Sequence, residues 1–115
     1  MTKMKPIRIN IKPLSVNSSY QGRKVPTRAL NSFKKHSALL LPEKIGFEFN
    51  GLLEMHINFG VSSKLADIDN LLKSFIDATQ TKYDYNDRYI YKLVVEKFNV
   101  KKGEEYIEFK FKNYK

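Results

Sequence analysis

The stretch Asp67-Ile68-Asp69-Asn70-Leu71-Leu72-Lys73 joins two closely spaced carboxylates to the start of an amphipathic pattern. Over residues 68–81, apolar side chains recur at the i, i+3, i+4, i+7 and i+8 positions, the spacing of a helix that buries one face. Asp69, Lys73 and Asp77 follow one another at i+4 spacing on a second face. The pattern therefore predicts a helix from about Ile68 to Thr81 with an acidic N-terminal end.

The whole chain has the composition of one small folded domain. Its 115 residues allow a single domain, residues 1–115, with one modest core, and the 42% hydrophobic and 13% aromatic content is typical of folded proteins. The absence of cysteine excludes disulfides and thiolate zinc sites. No apolar run reaches the roughly 18 residues of a membrane span, and there is no signal-peptide core. We therefore expect a cytoplasmic protein with no membrane partner.

The net charge of +9 is distributed unevenly along the chain. Residues 1–45 carry a balance of +9, residues 46–91 a balance of −3, and residues 92–115 a balance of +3. Basic segments attract polyanions because each neutralised phosphate releases condensed counterions. An acidic centre within such a surface would repel phosphate unless cations lie between them, although acids scattered by chance on a basic surface remain the simpler interpretation.

Further elements are predicted on both sides of the helix. They are a strand in Pro6–Leu14, a polar loop over Ser15–Thr27, a helix from Thr27 or Arg28 to Leu41, a strand over Phe47–Phe59 that Gly51 bends or divides, and strands at Tyr89–Phe98 and Glu105–Phe111 joined by a hairpin at residues 101–103. The order β-α-β(β)-α-β-β predicts an α+β fold: a single small domain whose mixed, mostly antiparallel sheet is covered by two helices.

Two interpretations of Asp67 and Asp69 follow from the residues themselves. In the first, one carboxylate caps the helix, acid near the N-terminus complements the helix dipole, and Asp69, Lys73 and Asp77 form exposed pairs. In the second, the carboxylates hold Mg²⁺, which prefers oxygen ligands, and a lysine assists at a phosphate. A third carboxylate would then come from the turn after the helix, with Asp87 the first choice and Asp84 the second.

The segment DIDNLLKSFIDA at residues 67–78 resembles the D-x-D-N-x-x-K-x-x-x-D-A motif of the RusA family of Holliday junction resolvases. Two other segments add to the resemblance. Pro13-Leu14-Ser15-Val16-Asn17 is similar to the family's P-x-S-x-N element, and the turn NDRYI at residues 86–90 is similar to its D-D-x-x-[VI] turn. Asn86 stands where the family often has a second aspartate. The resemblance spans nearly the whole domain.

The resemblance implies a Mg²⁺-dependent endodeoxyribonuclease, with Mn²⁺ as a possible substitute, that acts as a homodimer on four-way DNA junctions in recombination and repair. It makes Asp67, Asp69 and Asp87 the metal-binding carboxylates and Lys73 the active-site lysine, while Asp77 has a supporting role. The expected DNA contacts are Asn17, Arg23, Lys24, Arg28, Lys34, Lys35 and Asn70, with Arg8 and Lys12 as further basic candidates. The alternative is a non-catalytic nucleic-acid-binding module in which the acids only cap and pair.

Overall fold

Two helices and a four-stranded sheet form the part of the chain that the computed structural model describes, residues 4–14, 28–64 and 66–115. The elements are β1 (Ile7–Ile9), α1 (Arg28–Leu40), β2 (Leu53–Val61), α2 (Ile68–Tyr83), a 3₁₀ turn (Asp87–Tyr89), β3 (Ile90–Asn99) and β4 (Tyr106–Asn113). The sheet order is β1-β4-β2-β3. The predicted α+β class and the order of elements are confirmed.

The central unit is β2-α2-β3, in which the helix connects two parallel strands. Leu53 lies opposite Ile90 and Val61 lies opposite Asn99, so both strands run in the same direction. Because α2 returns from the end of β2 to the start of β3, its N-terminus lies at the carboxyl ends of the strands. Its C-terminus lies at their amino ends.

The predicted hairpin between the last two strands is wrong. The turn itself is present, since Glu104 N–H donates to the Lys101 carbonyl and Gly103 has a φ of +95°. However, β4 pairs with β1 and β2, both antiparallel, and does not pair with β3. The crossover through α2 places β3 on one edge of β2, and β4 occupies the other edge after the chain passes the end of β2, where Val100 N–H donates to the Val61 carbonyl.

The predicted strand over Phe47–Phe59 is correct only in its second half. Residues 47–52 are irregular, and Gly51 has a φ of +68°, a left-handed conformation that glycine adopts without a steric cost. Phe47 and Phe49 are half-buried all the same, with ring centroids 5.7 and 5.0 Å from that of Phe111. Their alternation with polar residues reflects packing of an irregular segment on the core rather than pairing in the sheet.

The core lies between the two helices and one face of the sheet. Each central strand contributes alternate side chains to this face: Met55, Ile57, Phe59, Ile107, Phe109 and Phe111 are all at most 1% exposed. From α2, Phe75 is fully buried, and its ring meets those of Phe59 and Phe109 edge to face at 6.2 and 5.3 Å. Neither described helix is long and apolar enough to cross a membrane.

The opposite face of the sheet carries polar and charged side chains. On β2, His56 Nε2 lies 2.6 Å from Glu54 Oε2. This hydrogen bond lowers the pKa of Glu54 more than the charges of the nearby lysines do. On the neighbouring strands, Arg8 lies 3.7 Å from Glu108 and 3.9 Å from the centroid of the Tyr106 ring. Neither α1 nor α2 covers this face, where Arg8 of β1 and Glu108 of β4 form a pair across neighbouring strands.

Replacing Phe75 with alanine removes the aromatic contact that joins α2 to the sheet. We expect Phe75→Ala to lower the free energy of unfolding by about 3–5 kcal/mol. The substitution leaves a cavity between α2 and the sheet, and these two elements cannot easily move together to fill it. Urea unfolding followed by circular dichroism measures this. Leu39→Ala is the matched control, since Leu39 is 84% exposed and its truncation should change stability by about 0.5 kcal/mol or less. Equal losses for both variants would contradict this packing.

Candidate active site

Asp67 and Asp69 lie at the N-terminus of α2 with both side chains exposed. Asp67 occupies the N-cap position with extended backbone, and its carbonyl accepts the first helical bond from Leu71 N–H at 3.1 Å. Its carboxylate makes no capping hydrogen bond to the helix backbone. The structure thus places Asp67 where a capping aspartate would be but leaves the carboxylate out of that role.

Asn70 connects the two carboxylates. Its backbone N–H donates to Asp69 Oδ1 at 3.0 Å, and its side-chain Nδ2 donates to Asp67 Oδ2 at 3.4 Å. Each carboxylate therefore keeps one oxygen outside these two bonds. Two exposed carboxylates that face solvent within three residues of each other can supply oxygen ligands to a hard divalent cation.

Lys97 ties the segment before Asp67 to the sheet. Lys97 stands opposite Phe59 on the helix-covered face, and its ammonium donates to the Ala66 carbonyl at 2.6 Å. Charged groups are rare on such a face unless they are paired, because burial removes their hydration. Here the lysine fixes the backbone immediately before Asp67 and brings a positive charge to the acidic end of α2.

The N-terminal segment ends against the first half of α2. Ser74 is 1% exposed, and its hydroxyl donates to the Leu14 carbonyl at 2.6 Å. Lys12 and Pro13 also line a small crevice together with Ala66, which precedes Asp67. Pro13 and Leu14, which begin the segment similar to P-x-S-x-N, therefore lie beside the first half of α2. Asn17, Arg23 and Lys24, predicted to contact DNA, lie outside the described residues.

Asp87 lies at the other end of α2. Its backbone N–H donates to Gln80 Oε1 at 2.9 Å, one turn before the helix ends at Tyr83. Gln80 follows Asp69 by eleven residues, which is about 16 Å along a helix axis. Asp87 is thus separated from Asp67 and Asp69 by nearly the full length of the βαβ unit.

The turn around Asp87 is well fixed. Asp84 adopts a left-handed conformation with a φ of 53° and ends α2 by donating its N–H to the Gln80 carbonyl. Asn86 Oδ1 accepts from Arg88 N–H at 3.0 Å and caps the 3₁₀ turn. Asp84 and Asn86 therefore serve backbone turns at this end of the molecule, remote from Asp67 within one chain.

Tyr85 anchors the same turn to the core. Its ring stacks on Phe49 at 4.9 Å, and its hydroxyl bonds to Thr79, which is fully buried. Burial raises the pKa of Tyr85, the hydrogen bond with Thr79 opposes that shift, and the charge of Asp87 adds to it. Burial likewise raises the pKa of Tyr83 to about 12. Both tyrosines pack on the core.

Among residues 4–14, 28–64 and 66–115, no three histidine, cysteine, aspartate or glutamate side chains are grouped so that they could hold a metal ion. The fold accordingly brings Asp67, Asp69 and Lys73 to one end of α2 and does not bring Asp87 to them within the chain. The pair at the helix N-terminus is compatible with a Mg²⁺ ion that keeps several waters, because Mg²⁺ is often held by one or two carboxylates.

The basic residues predicted to contact DNA have different surroundings. Arg28 and Lys35 are exposed on α1, whereas Lys34 is half-buried and lies 3.4 Å from Asp77 of α2. Lys34 and Asp77 therefore link the two helices. Asn70, also predicted to contact DNA, holds Asp67 instead in this structure.

Sequence reasoning did not identify Lys97, Ser74 or Gln80, although each positions part of the candidate site. For Lys97 a signal was present, because it follows Leu93 and Val95 at the alternate positions of β3 that face the helices. A lysine at the end of such an apolar row indicates a specific polar partner. Ser74 and Gln80 have no comparable signal, since polar residues are ordinary in an amphipathic helix.

Comparison with known proteins identifies the family. The family model described as "Endodeoxyribonuclease RusA" matches residues 11–110, a range that begins just after β1 and ends within β4. No curated protein matches the chain. The matched range includes α2 with Asp67, Asp69 and Lys73, the turn with Asp87, and the N-terminal segment that Ser74 holds. The chain belongs to the RusA family of endodeoxyribonucleases, the crossover junction resolvases.

Proposed function

We propose that this protein is a Mg²⁺-dependent endonuclease that resolves four-way DNA junctions by paired phosphodiester cleavage in recombination and repair. The observation that carries the proposal is the pair of exposed carboxylates, Asp67 and Asp69, at the N-terminus of α2 in a chain of the RusA family. The Asp67 carboxylate makes no capping bond, which removes the main structural reason for its presence there.

The donor atoms at this end of α2 suit a hard divalent cation. Asp67 and Asp69 would hold Mg²⁺, or Mn²⁺ in its place, through the carboxylate oxygens that Asn70 leaves open. A bound ion of this kind lowers the pKa of a water and stabilises charge on the transferring phosphate. The chain as a whole, with a net charge of +9, attracts DNA, but two aspartates would repel phosphate locally. A bound divalent cation would remove this local repulsion.

The protein's own groups position and stabilise the phosphate. Lys73 follows Asp69 by one helical turn, so its ammonium can reach the same end of α2 and stabilise negative charge that develops at the scissile phosphate. The positive end of the helix dipole acts in the same direction. Lys97 holds the Ala66 carbonyl, which keeps the Asp67 backbone in place while DNA binds.

In this proposal, basic residues of the described part of the chain and of the segment after Leu14 supply the affinity for DNA. Lys12 is exposed beside the Ala66 segment, and Arg28 and Lys35 are exposed on α1. Asn17, Arg23 and Lys24 belong to the segment that follows Leu14. Such groups bind the phosphates of the DNA backbone without reading the base sequence. This suits an enzyme that recognises the shape of a branched substrate.

Resolution of a four-way junction requires two cuts in strands related by symmetry. One chain carries one Asp67–Asp69 pair, so a single copy supplies at most one such site. A homodimer with a twofold axis presents two equivalent sites to the two strands. We therefore include homodimerisation in the proposal.

Asp69→Asn tests the role of the carboxylate pair. We expect junction cleavage in Mg²⁺ to fall by at least ~100-fold, because the amide binds a cation poorly and electrostatic stabilisation at the phosphate is lost. Binding of a labelled four-way junction in EDTA should persist or tighten, since one negative charge is removed near phosphate. Cleavage assays and gel-shift titrations measure the two effects.

Glu104→Gln is the matched control, because Glu104 is an exposed acid in the turn between β3 and β4. It changes the net charge equally and should leave cleavage unaltered. If wild-type protein makes no cut in any branched DNA with Mg²⁺ or Mn²⁺, the proposed function is wrong. If Asp69→Asn cuts normally but unfolds more easily, Asp69 is a structural residue.

Lys97→Met tests whether the Ala66 contact positions Asp67. We expect kcat to fall by about 10-fold or more, with little change in the KM for junction DNA, because small displacements of reacting groups are costly. The Mg²⁺ concentration for half-maximal cleavage should rise. Lys97→Arg, which can still donate to the Ala66 carbonyl, should restore part of the loss.

Lys101→Met provides the comparison for Lys97→Met, since Lys101 is an exposed lysine beyond the end of β3. A general loss of positive charge would weaken DNA binding in both variants and raise KM. Equal behaviour of the two variants, with unchanged Mg²⁺ dependence, would contradict a positioning role for Lys97.

A further inference from the structure

We infer that the turn between β3 and β4 is a DNA-binding element, in which Lys101 and Lys102 bind backbone phosphates of the strand that is cut. Glu105 is the positioning residue that fixes this turn beside the candidate site. The inference rests on the proposed function and adds a substrate contact to it. Its starting point is a set of contacts that attach both ends of the turn to the end of β2, from which the chain continues to Asp67.

The entry to the turn is fixed by the backbone. Directly after β3, Val100 N–H donates to the carbonyl of Val61, the last residue of β2, at 2.8 Å. Glu104 N–H closes the turn by donating to the Lys101 carbonyl at 2.9 Å, and Gly103 adopts a φ of +95°. The turn therefore starts from a fixed point on β2 and has a defined shape.

The exit from the turn is fixed by two side chains. Glu105 Oε2 accepts a hydrogen bond from the Ser62 hydroxyl at 2.6 Å, and Glu105 Oε1 accepts one from Gly103 N–H at 2.9 Å. The ring of the next residue, Tyr106, packs so closely on Gly60 that a Cβ atom there would overlap it. The two oxygens of Glu105 thus join the turn to the loop that follows β2.

Glu105 acts as an ionised acceptor. The hydrogen bond from Ser62 is the main cause that lowers the pKa of Glu105, and bonds from backbone N–H groups and the charge of Lys12 act in the same direction. The carboxylate is therefore charged at neutral pH, and a charged acceptor forms stronger hydrogen bonds than a neutral one. Glutamine has a single acceptor oxygen and can replace only one of its two bonds.

The loop that Glu105 holds leads to the candidate site. Ser62 precedes Asp67 by five residues, and Lys97, near the end of β3, donates to the carbonyl of Ala66. Lys101 follows Lys97 by four residues, which is at most about 13 Å of extended chain. B-form DNA covers this length in about four base steps. The turn can therefore reach phosphates within about four nucleotides of a phosphate held beside Asp67.

The charge of the turn suits a DNA strand. Lys101 and Lys102 are both exposed, and Lys12 lines a crevice with Ser62 and Ala66 at the same end of β2. Lysine binds phosphate as a flexible point charge, and each neutralised phosphate releases condensed counterions. The lysines of the turn thus supply affinity for the backbone next to the cut and do not read the bases.

Replacing both lysines tests the DNA contact. We expect the double variant Lys101→Met and Lys102→Met to raise the KM for junction DNA about 10-fold with little change in kcat, because two phosphate contacts are lost. In EDTA, the slope of log Kd against log salt concentration should become shallower by about 1.8, since each phosphate contact contributes about 0.9. Cleavage kinetics and gel-shift titrations measure the two effects.

Lys44→Met is the control for the loss of a positive charge. Lys44 is exposed and lies near the C-terminal end of α2, so its replacement should leave the salt slope unaltered. If the double variant keeps the wild-type KM and salt slope while wild type cleaves, the contact is wrong and the proposed function stands. If wild type makes no cut, the proposed function is wrong, and the salt slope in EDTA still decides whether the turn binds DNA.

Neutral phosphates locate the contact on the substrate. Junctions are prepared with a single methylphosphonate at one of the four positions on each side of the cut. Wild type should bind at least ~3-fold more weakly when the charge is removed at one or two of these positions. The double lysine variant should not respond at the same positions. An equal response of the two proteins at every position would overturn the contact.

Glu105→Gln and Glu104→Gln separate positioning from charge. Both remove one negative charge from the turn, which by charge alone favours DNA binding. Only Glu105→Gln also breaks a bond that holds the turn. We expect Glu105→Gln to raise the KM at least ~3-fold, because a less ordered turn must be fixed on binding, whereas Glu104→Gln should not raise it. A fall in KM for both variants would contradict the positioning role of Glu105.

Ser62→Ala removes the bond from Ser62 to Glu105 without a change in charge. It should raise the KM at least ~3-fold in the wild-type background and have no effect when Lys101 and Lys102 are already methionine, because the bond acts through these lysines. An equal rise in KM in both backgrounds would show that the bond serves the fold alone and would overturn the positioning role.

Discussion

The crossover of α2 between two parallel strands is the constraint on which the rest of the structure depends. A helix in this position must begin at the carboxyl ends of β2 and β3 and end at their amino ends. It is held there by Phe75 and the fully buried rings of the sheet. The carboxylates before and after the helix are consequently far apart. The positive end of the helix dipole and the contact of Lys97 with the Ala66 carbonyl both lie at the Asp67 end.

The local elements could be predicted from sequence because each depends on short-range patterns. α2 follows from its apolar spacing, α1 from Leu30, Phe33 and Ser37, and the turn at Gly103 from glycine in a hairpin-like context. The strands that β3 and β4 pair with could not be predicted in this way. A turn signal between two strands does not say which edge of the sheet is already occupied. The βαβ crossover decides that, and it is a property of the whole sheet.

In the candidate site, too, local features could be predicted and long-range contacts could not. Spacing and family resemblance predicted Asp67, Asp69 and Lys73 near one end of a helix, and the structure has them in the first turns of α2. They could not reveal Lys97 on the Ala66 carbonyl or Ser74 on the Leu14 carbonyl, since these contacts join residues 31 and 60 positions apart. Nor could they show that Asp87 lies beyond the far end of the helix. A motif records which residues are present, whereas the fold determines their distances.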